Sequence, residues 1–75
     1  MMKEAIAIFK LNIEIYPNAF NPYDSLGEAY YVDGQYELSI EYYQKSIDLN
    51  PNNTNGIEML YKAKKKLKEM RVTNV

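Results

Sequence analysis

Apolar side chains recur along this chain at three- and four-residue intervals, and proline or glycine interrupts them at regular distances. Ala5, Phe9 and Ile13 form one such row, and Leu60, Leu67 and Met70 form another near the end. Spacing of that kind keeps one face of a helix apolar, whereas no segment alternates apolar and polar residues over a useful length. The punctuation then predicts four helices. The first runs from about Met2 to Tyr16 and stops at Pro17. Asn21 is a good N-cap for the second, with Pro22 at the first helical position and Asp24 as a weak capping-box partner. Gly34 ends it, and a third helix from about Gln35 to Leu49 stops before Pro51. The fourth starts near Asn53 or Thr54 and reaches about Met70, with Lys and Arg in its last turns where the helix dipole is negative. The fold class is all-α.

The chain also repeats itself at an offset of 34 residues. Pro17 and Asn18 align with Pro51 and Asn52, Ala5 with Ser39, Phe9 with Tyr43, Ile13 with Ile47, and Leu26 with Leu60. A period of that length, shared by punctuation and apolar pattern, belongs to helix-turn-helix arrays whose units cannot bury their apolar faces alone.

Composition narrows the chemistry. The 75 residues include no cysteine and no histidine, so disulfides, thiolate chemistry, imidazole bases and the commonest metal ligands are excluded. The serines Ser25, Ser39 and Ser46 therefore have no histidine base, and small helix-contact positions explain Ser39 and Ser46 better. Asp24 and Glu28 share a helix face, but a solvated surface explains them better than paired-carboxylate catalysis. Three glycines fall short of a phosphate-cradling loop. Asn52-Asn53-Thr54 fits an inter-repeat turn better than a glycosylation acceptor. No enzyme, cofactor or metal is expected. The Ala5–Tyr16 run is broken by Lys10, Asn12 and Glu14 and ends in no cleavage site, so neither a membrane span nor a signal peptide is expected.

The net charge of −1 conceals a division. Residues 1–57 hold three basic and eight acidic side chains, whereas residues 58–75 hold six basic and two acidic ones. The basic stretch from Lys62 to Arg71 shares its helix with apolar residues, which fits a solubilising terminal helix. Nucleic-acid binding is disfavoured on that ground.

Tyr23-Asp24-Ser25-Leu26-Gly27-Glu28-Ala29-Tyr30, followed by Gly34, Tyr36, Tyr43 and Leu49-Asn50-Pro51, resembles one complete tetratricopeptide repeat. Tyr23 stands at the leading aromatic position, usually Trp, and Leu26, Gly27 and Tyr30 follow at the family's spacing. Ser39 and Ser46 stand where small residues let the helices cross closely. The resemblance implies a right-handed helical solenoid fragment. Residues 1–19 are the second helix of an incomplete preceding repeat, and 20–53 the complete repeat. Residues 54–71 are a capping helix, and 72–75 a disordered tail. Tyr61 stands where the family has Gly and Lys64 where it has Tyr, which would obstruct a further helix. Ile8-Phe9-Lys10-Leu11-Asn12, Tyr16-Pro17-Asn18 and the Tyr23–Tyr30 run also look like repeats appended to certain bacterial serine hydrolases of esterase and β-lactamase type. That likeness implies an accessory domain that is inactive alone, and exported if the parent is secreted. Otherwise a cytoplasmic location is the default, and the compartment stays open.

Two candidate surfaces follow. In this family successive first helices line a concave groove. Asn21, Asp24, Glu28 and Tyr31 recur along one face of the second helix, and Asn55, Glu58, Lys62 and Lys65 along the fourth, with Lys66 adjacent. That face would run from acidic to basic, suiting an extended protein or peptide segment with a basic part and an acidic or carboxylate end. Asp24, Glu58 and Ser25 stand where chaperone-tail-binding members place Lys or Asn, which speaks against that ligand. The second surface is the stripe Ile8, Leu11 and Ile15, apart from the Ala5–Phe9–Ile13 face. A helix apolar nearly all round expects cover all round. The cover could be a second copy in a homodimer, a partner, or an upstream domain.

Overall fold

The computed structural model describes residues 2–73 and contains four helices in antiparallel succession: α1 (Met2–Ile15), α2 (Phe20–Val32), α3 (Tyr36–Leu49) and α4 (Thr54–Thr73). Each packs on its chain neighbours, most extensively α2 on α3, while α2 also touches α4. The result is a slab of 41 × 29 × 14 Å rather than a closed bundle. Such a row has two ends, and its end helices keep an uncovered side.

The 34-residue period is visible in the backbone of the turns. Tyr16 N–H donates to Asn12 C=O (2.8 Å) and Ala19 N–H to Tyr16 C=O (3.1 Å). Their counterparts one period on are Asn50 N–H to Ser46 C=O (2.9 Å) and Asn53 N–H to Asn50 C=O (3.0 Å). The turn after α2 is of a different kind. Gly34 adopts φ +81°, its N–H donates to Tyr31 C=O (3.1 Å), and Gln35 N–H donates to Tyr30 C=O (2.9 Å). This is a Schellman closure, which needs a residue comfortable in the left-handed region.

The core sits where α2 crosses α3. Leu26 and Tyr43 are sealed there with Tyr23, Ala29, Tyr30 and the small residues Gly27 and Ser39. Ser39 Oγ donates to Gly27 C=O (2.8 Å), tying the crossing together without leaving a buried hydroxyl unpaired. Ser46 Oγ bonds back to Tyr43 C=O (2.8 Å) in its own helix. Tyr23 fills the seam and donates its hydroxyl to Pro17 C=O (2.9 Å), fixing the α1–α2 turn against the core. Tyr42 adds a second aromatic layer, stacked on Tyr30 at 5.6 Å and on Tyr23 at 6.5 Å between ring centroids.

Several details differ from the sequence expectation. α1 ends at Ile15 rather than Tyr16, because Tyr16 already belongs to the turn. α2 begins at Phe20, two residues earlier than the Asn21 cap implies. Its cap is Ala19, which has extended backbone and offers no side-chain hydrogen bond. Pro22 is then the third helical residue, still inside the first turn where N–H groups have no intrahelical partner. Asp24 caps nothing and instead accepts from Asn53 Nδ2 (3.3 Å). On α4 the sealed residue is Ala63, with Leu60 and Leu67 only half-buried and Met70 exposed. α4 continues through Thr73, two residues into the stretch expected to be a disordered tail, since no glycine or proline stops it. The remainder of that tail, residues 74–75, lies outside the described residues.

Candidate partner-binding surfaces

Asn53 sets where α4 starts and how α4 faces α2. Its Oδ1 accepts from Gly56 N–H (3.2 Å), and its carbonyl accepts from Ile57 N–H (3.1 Å), the geometry of an N-cap. Its Nδ2 donates to Ser46 Oγ on α3 and to Asp24 Oδ2 on α2, each at 3.3 Å. One buried amide therefore connects α2, α3 and α4. Gly56 makes this possible, because a Cβ there would lie 2.5 Å from Asn53 Nδ2.

Near Asn53, a cleft of about 190 Å³ is lined by Glu28, Tyr31, Val32, Tyr43, Asn55 and Met59. Glu28 and Asn55 are exposed at its mouth, while Tyr31 and Met59 are half-buried in its walls. The Tyr31 ring is braced edge-on by Tyr36 at 5.3 Å. Burial raises the pKa of the Tyr43 hydroxyl well above the ordinary tyrosine value, and the negative charges of Asp24 and Glu28 add to the effect. Tyr42 is also raised, by burial first and then by neighbouring Tyr30 and Glu41.

Of the groove residues expected from sequence, Glu28, Tyr31 and Asn55 meet in this cleft. Asp24 is engaged by Asn53, and Asn21 is exposed on the first turn of α2. Glu58 and Lys62 are exposed on α4. Lys65 borders a different, outward-facing depression, and Lys66 lies beside Gly34, Tyr36 and Met70. Val32 and Met59 were absent from the expected set. Their four-residue spacing from Glu28 and Asn55 is the available signal, since those positions share a helix face.

The expected stripe on α1 is uncovered: Ile8, Leu11 and Ile15 are 56%, 53% and 57% exposed, and no residue of α1 is buried. The outward face of α4 is a second uncovered apolar area among the described residues. A depression of about 410 Å³ is lined there by Ile57, Leu60, Tyr61, Lys64, Lys65 and Lys68, and Tyr61 is 78% exposed. Among the described residues, no group of His, Cys, Asp and Glu is placed to hold a metal ion, and no helix is long and apolar enough to cross a membrane.

A row of helices in which each packs on its chain neighbours is a helical-repeat architecture. Residues 25–53, from inside α2 through α3 to the following turn, match the family model of the tetratricopeptide repeat. The match covers 29 of the 75 residues and shows that this stretch is similar to a tetratricopeptide repeat, the repeat type used in protein–protein interaction scaffolds. No curated protein matches the chain, so the likeness to hydrolase-appended repeats rests on the sequence alone.

Proposed function

We propose that this chain is a non-catalytic interaction module that takes an extended segment of a partner protein between α2 and α4 and also associates through the outward face of α1. The cleft between α2 and α4 is the observation that supports this most. It offers an acid (Glu28), an amide suited to backbone groups (Asn55), and apolar contacts (Val32 and Met59) beside a braced aromatic ring. A partner with a basic residue followed by an apolar one complements that order. Lys62 and Lys66 on α4 then favour an acidic or carboxylate end.

The test uses a fluorescently labelled peptide of about ten residues, roughly 35 Å when extended. Its first half is lysine-rich with one leucine, and its second half is glutamate-rich with a free carboxylate. Anisotropy should show saturable binding that Glu28→Lys weakens by about tenfold or more. Equal binding by the variant, or none at millimolar peptide, removes the groove reading.

The uncovered α1 face supports a second reading, an accessory domain of a larger bacterial hydrolase with Ile8, Leu11 and Ile15 seated on the catalytic part. A natural reading frame without an upstream catalytic domain would eliminate it.

A further inference from the structure

Asn55–Gly56 is the one Asn-Gly pair in the sequence, and it falls in the first turn of α4 with Asn55 exposed at the mouth of the cleft. A glycine after asparagine leaves the following backbone nitrogen unhindered, which makes the asparagine amide chemically labile. The other asparagines are followed by proline, which has no N–H, or by residues whose side chains crowd that nitrogen. Gly56 cannot be exchanged to remove the lability. A Cβ there would lie 2.5 Å from Asn53 Nδ2, 3.0 Å from Asn53 Cγ and 3.2 Å from Ser46 Oγ. Asn55 is under no such constraint, because its side chain is exposed and Asn53 supplies the α4 cap. The pair combines a glycine held by packing with an asparagine free to change.

We propose that Asn55 is a self-modification site whose conversion places a second carboxylate in the cleft, at a rate governed by the Asn53 cap. The consequence rests on the groove reading, whereas the chemistry does not. The Gly56 nitrogen loses its proton to base and attacks Asn55 Cγ. The N–Cγ bond forms, the Cγ–Nδ2 bond breaks, and Nδ2 leaves as ammonia with a proton from water. Water then opens the cyclic imide at either carbonyl, giving aspartate or isoaspartate. The sum is side-chain amide plus water to carboxylate plus ammonium, with no change of oxidation state.

The folded backbone holds this chemistry back. Gly56 is buried and its N–H donates to Asn53 Oδ1 at 3.2 Å, which withholds the proton from base. A helical ψ of about −42° also keeps that nitrogen out of line with Asn55 Cγ. Reaction therefore needs the first turn of α4 to open, and helix ends open locally at far lower cost than the whole fold. Asn53 is the latch, because the same side chain closes the turn and ties it to Ser46 Oγ and Asp24 Oδ2, each at 3.3 Å. Once formed, the charge suits its place: the first turn of α4 holds no acid, and the N-terminal end of a helix favours one. Glu28 lines the same cleft, so the converted cleft carries two carboxylates and favours a more basic partner segment.

Peptide mapping by mass spectrometry tests the site on the full chain, incubated at mildly alkaline pH with no partner present. Conversion should concentrate at Asn55, with Asn52 and the other asparagines spared. Asn53→Ala should speed it by about fivefold or more, as expected for the loss of a helix cap. Gly27→Ala crowds the Tyr43 ring but leaves the α4 cap in place, so it should leave the rate unchanged. A Gly27→Ala rate that rises in step with its lost stability would overturn the latch, and no conversion at Asn55 even in Asn53→Ala would overturn the site. Anisotropy with the same lysine- and glutamate-rich peptide reads the consequence separately. Asn55→Asp should bind it about threefold or more tightly at low salt, with the gain shrinking as salt is added. Equal binding by wild type and variant overturns the change in cleft preference. A wild type that binds no peptide removes the groove instead and leaves the mapped site standing.

Discussion

Gly27→Ala isolates how closely α2 must approach α3. A methyl built on Gly27 lies 2.9, 3.0 and 3.1 Å from Cγ, Cδ2 and Cδ1 of Tyr43. Carbon pairs rest at about 3.5–4.0 Å, so the ring stands about half an ångström or more too near. Cγ is the root of that ring, and Tyr43 is only 1% exposed, so it cannot swing aside. Relief requires the helices to part locally, which stretches the 2.8 Å bond from Ser39 Oγ to Gly27 C=O. Overpacking of this kind costs about 1–3 kcal/mol. Alanine's advantage over glycine inside a helix returns about 0.5–1 kcal/mol. The net expectation is a loss of about 1–2 kcal/mol, which in a domain of this size lowers the Tm by roughly 5–15 °C. Urea and thermal unfolding followed by far-UV circular dichroism read this directly. In a Tyr43→Leu background the methyl has room, so the same substitution should become neutral or stabilising. Stabilisation by Gly27→Ala in the otherwise native chain would refute the close-approach argument.

Two further expectations come from helix starts and from titration. Ala19 and Asn53 occupy equivalent cap positions, so Ala19→Asn should stabilise by about 0.5–1 kcal/mol. Asn53→Ala should cost about 2 kcal/mol, because it removes the α4 cap and strips buried partners from Ser46 and Asp24. Urea midpoints at constant slope measure both, and equal small effects at the two sites would contradict the assignment. Tyr43 is held protonated in the folded chain above its unfolded pKa near 10. The stability this contributes is complete below about pH 10 and is lost as pH rises through the raised folded value, because the unfolded chain then binds fewer protons. Tyr43→Phe should flatten the alkaline decline in stability, and an unchanged decline would show that other groups cause it.

The parts of this structure legible in the sequence are those set by local chemistry and by repetition. The 34-residue period, the stops at Pro17 and Pro51, the left-handed Gly34 and the small residues Gly27, Ser39 and Ser46 each have one strong local reading. The start of α2 differs because Asn21 is the better cap in isolation, whereas in the fold buried Tyr23 ties the first turn of α2 to Pro17 C=O and the cap falls at Ala19. Asn53 looked like an ordinary turn residue, and only the folded arrangement shows its amide meeting both Asp24 and Ser46. Tyr42 fell off the consensus core positions, yet it stacks on two tyrosines of α2. The groove was legible as a helix face but not as a cleft. Which residues of α4 turn toward Glu28 and Tyr31 depends on how Gly56 and Asn53 seat that helix.

The most direct test of the interaction module is a backbone amide shift map of the 15N-labelled chain titrated with the lysine-to-glutamate peptide. The account predicts saturating changes clustered at Glu28, Tyr31, Val32, Asn55 and Met59, with little movement in the middle of α3 away from Tyr43. Changes confined to α1 and the outer face of α4, or none at all, would contradict the claim that the cleft between α2 and α4 receives the partner.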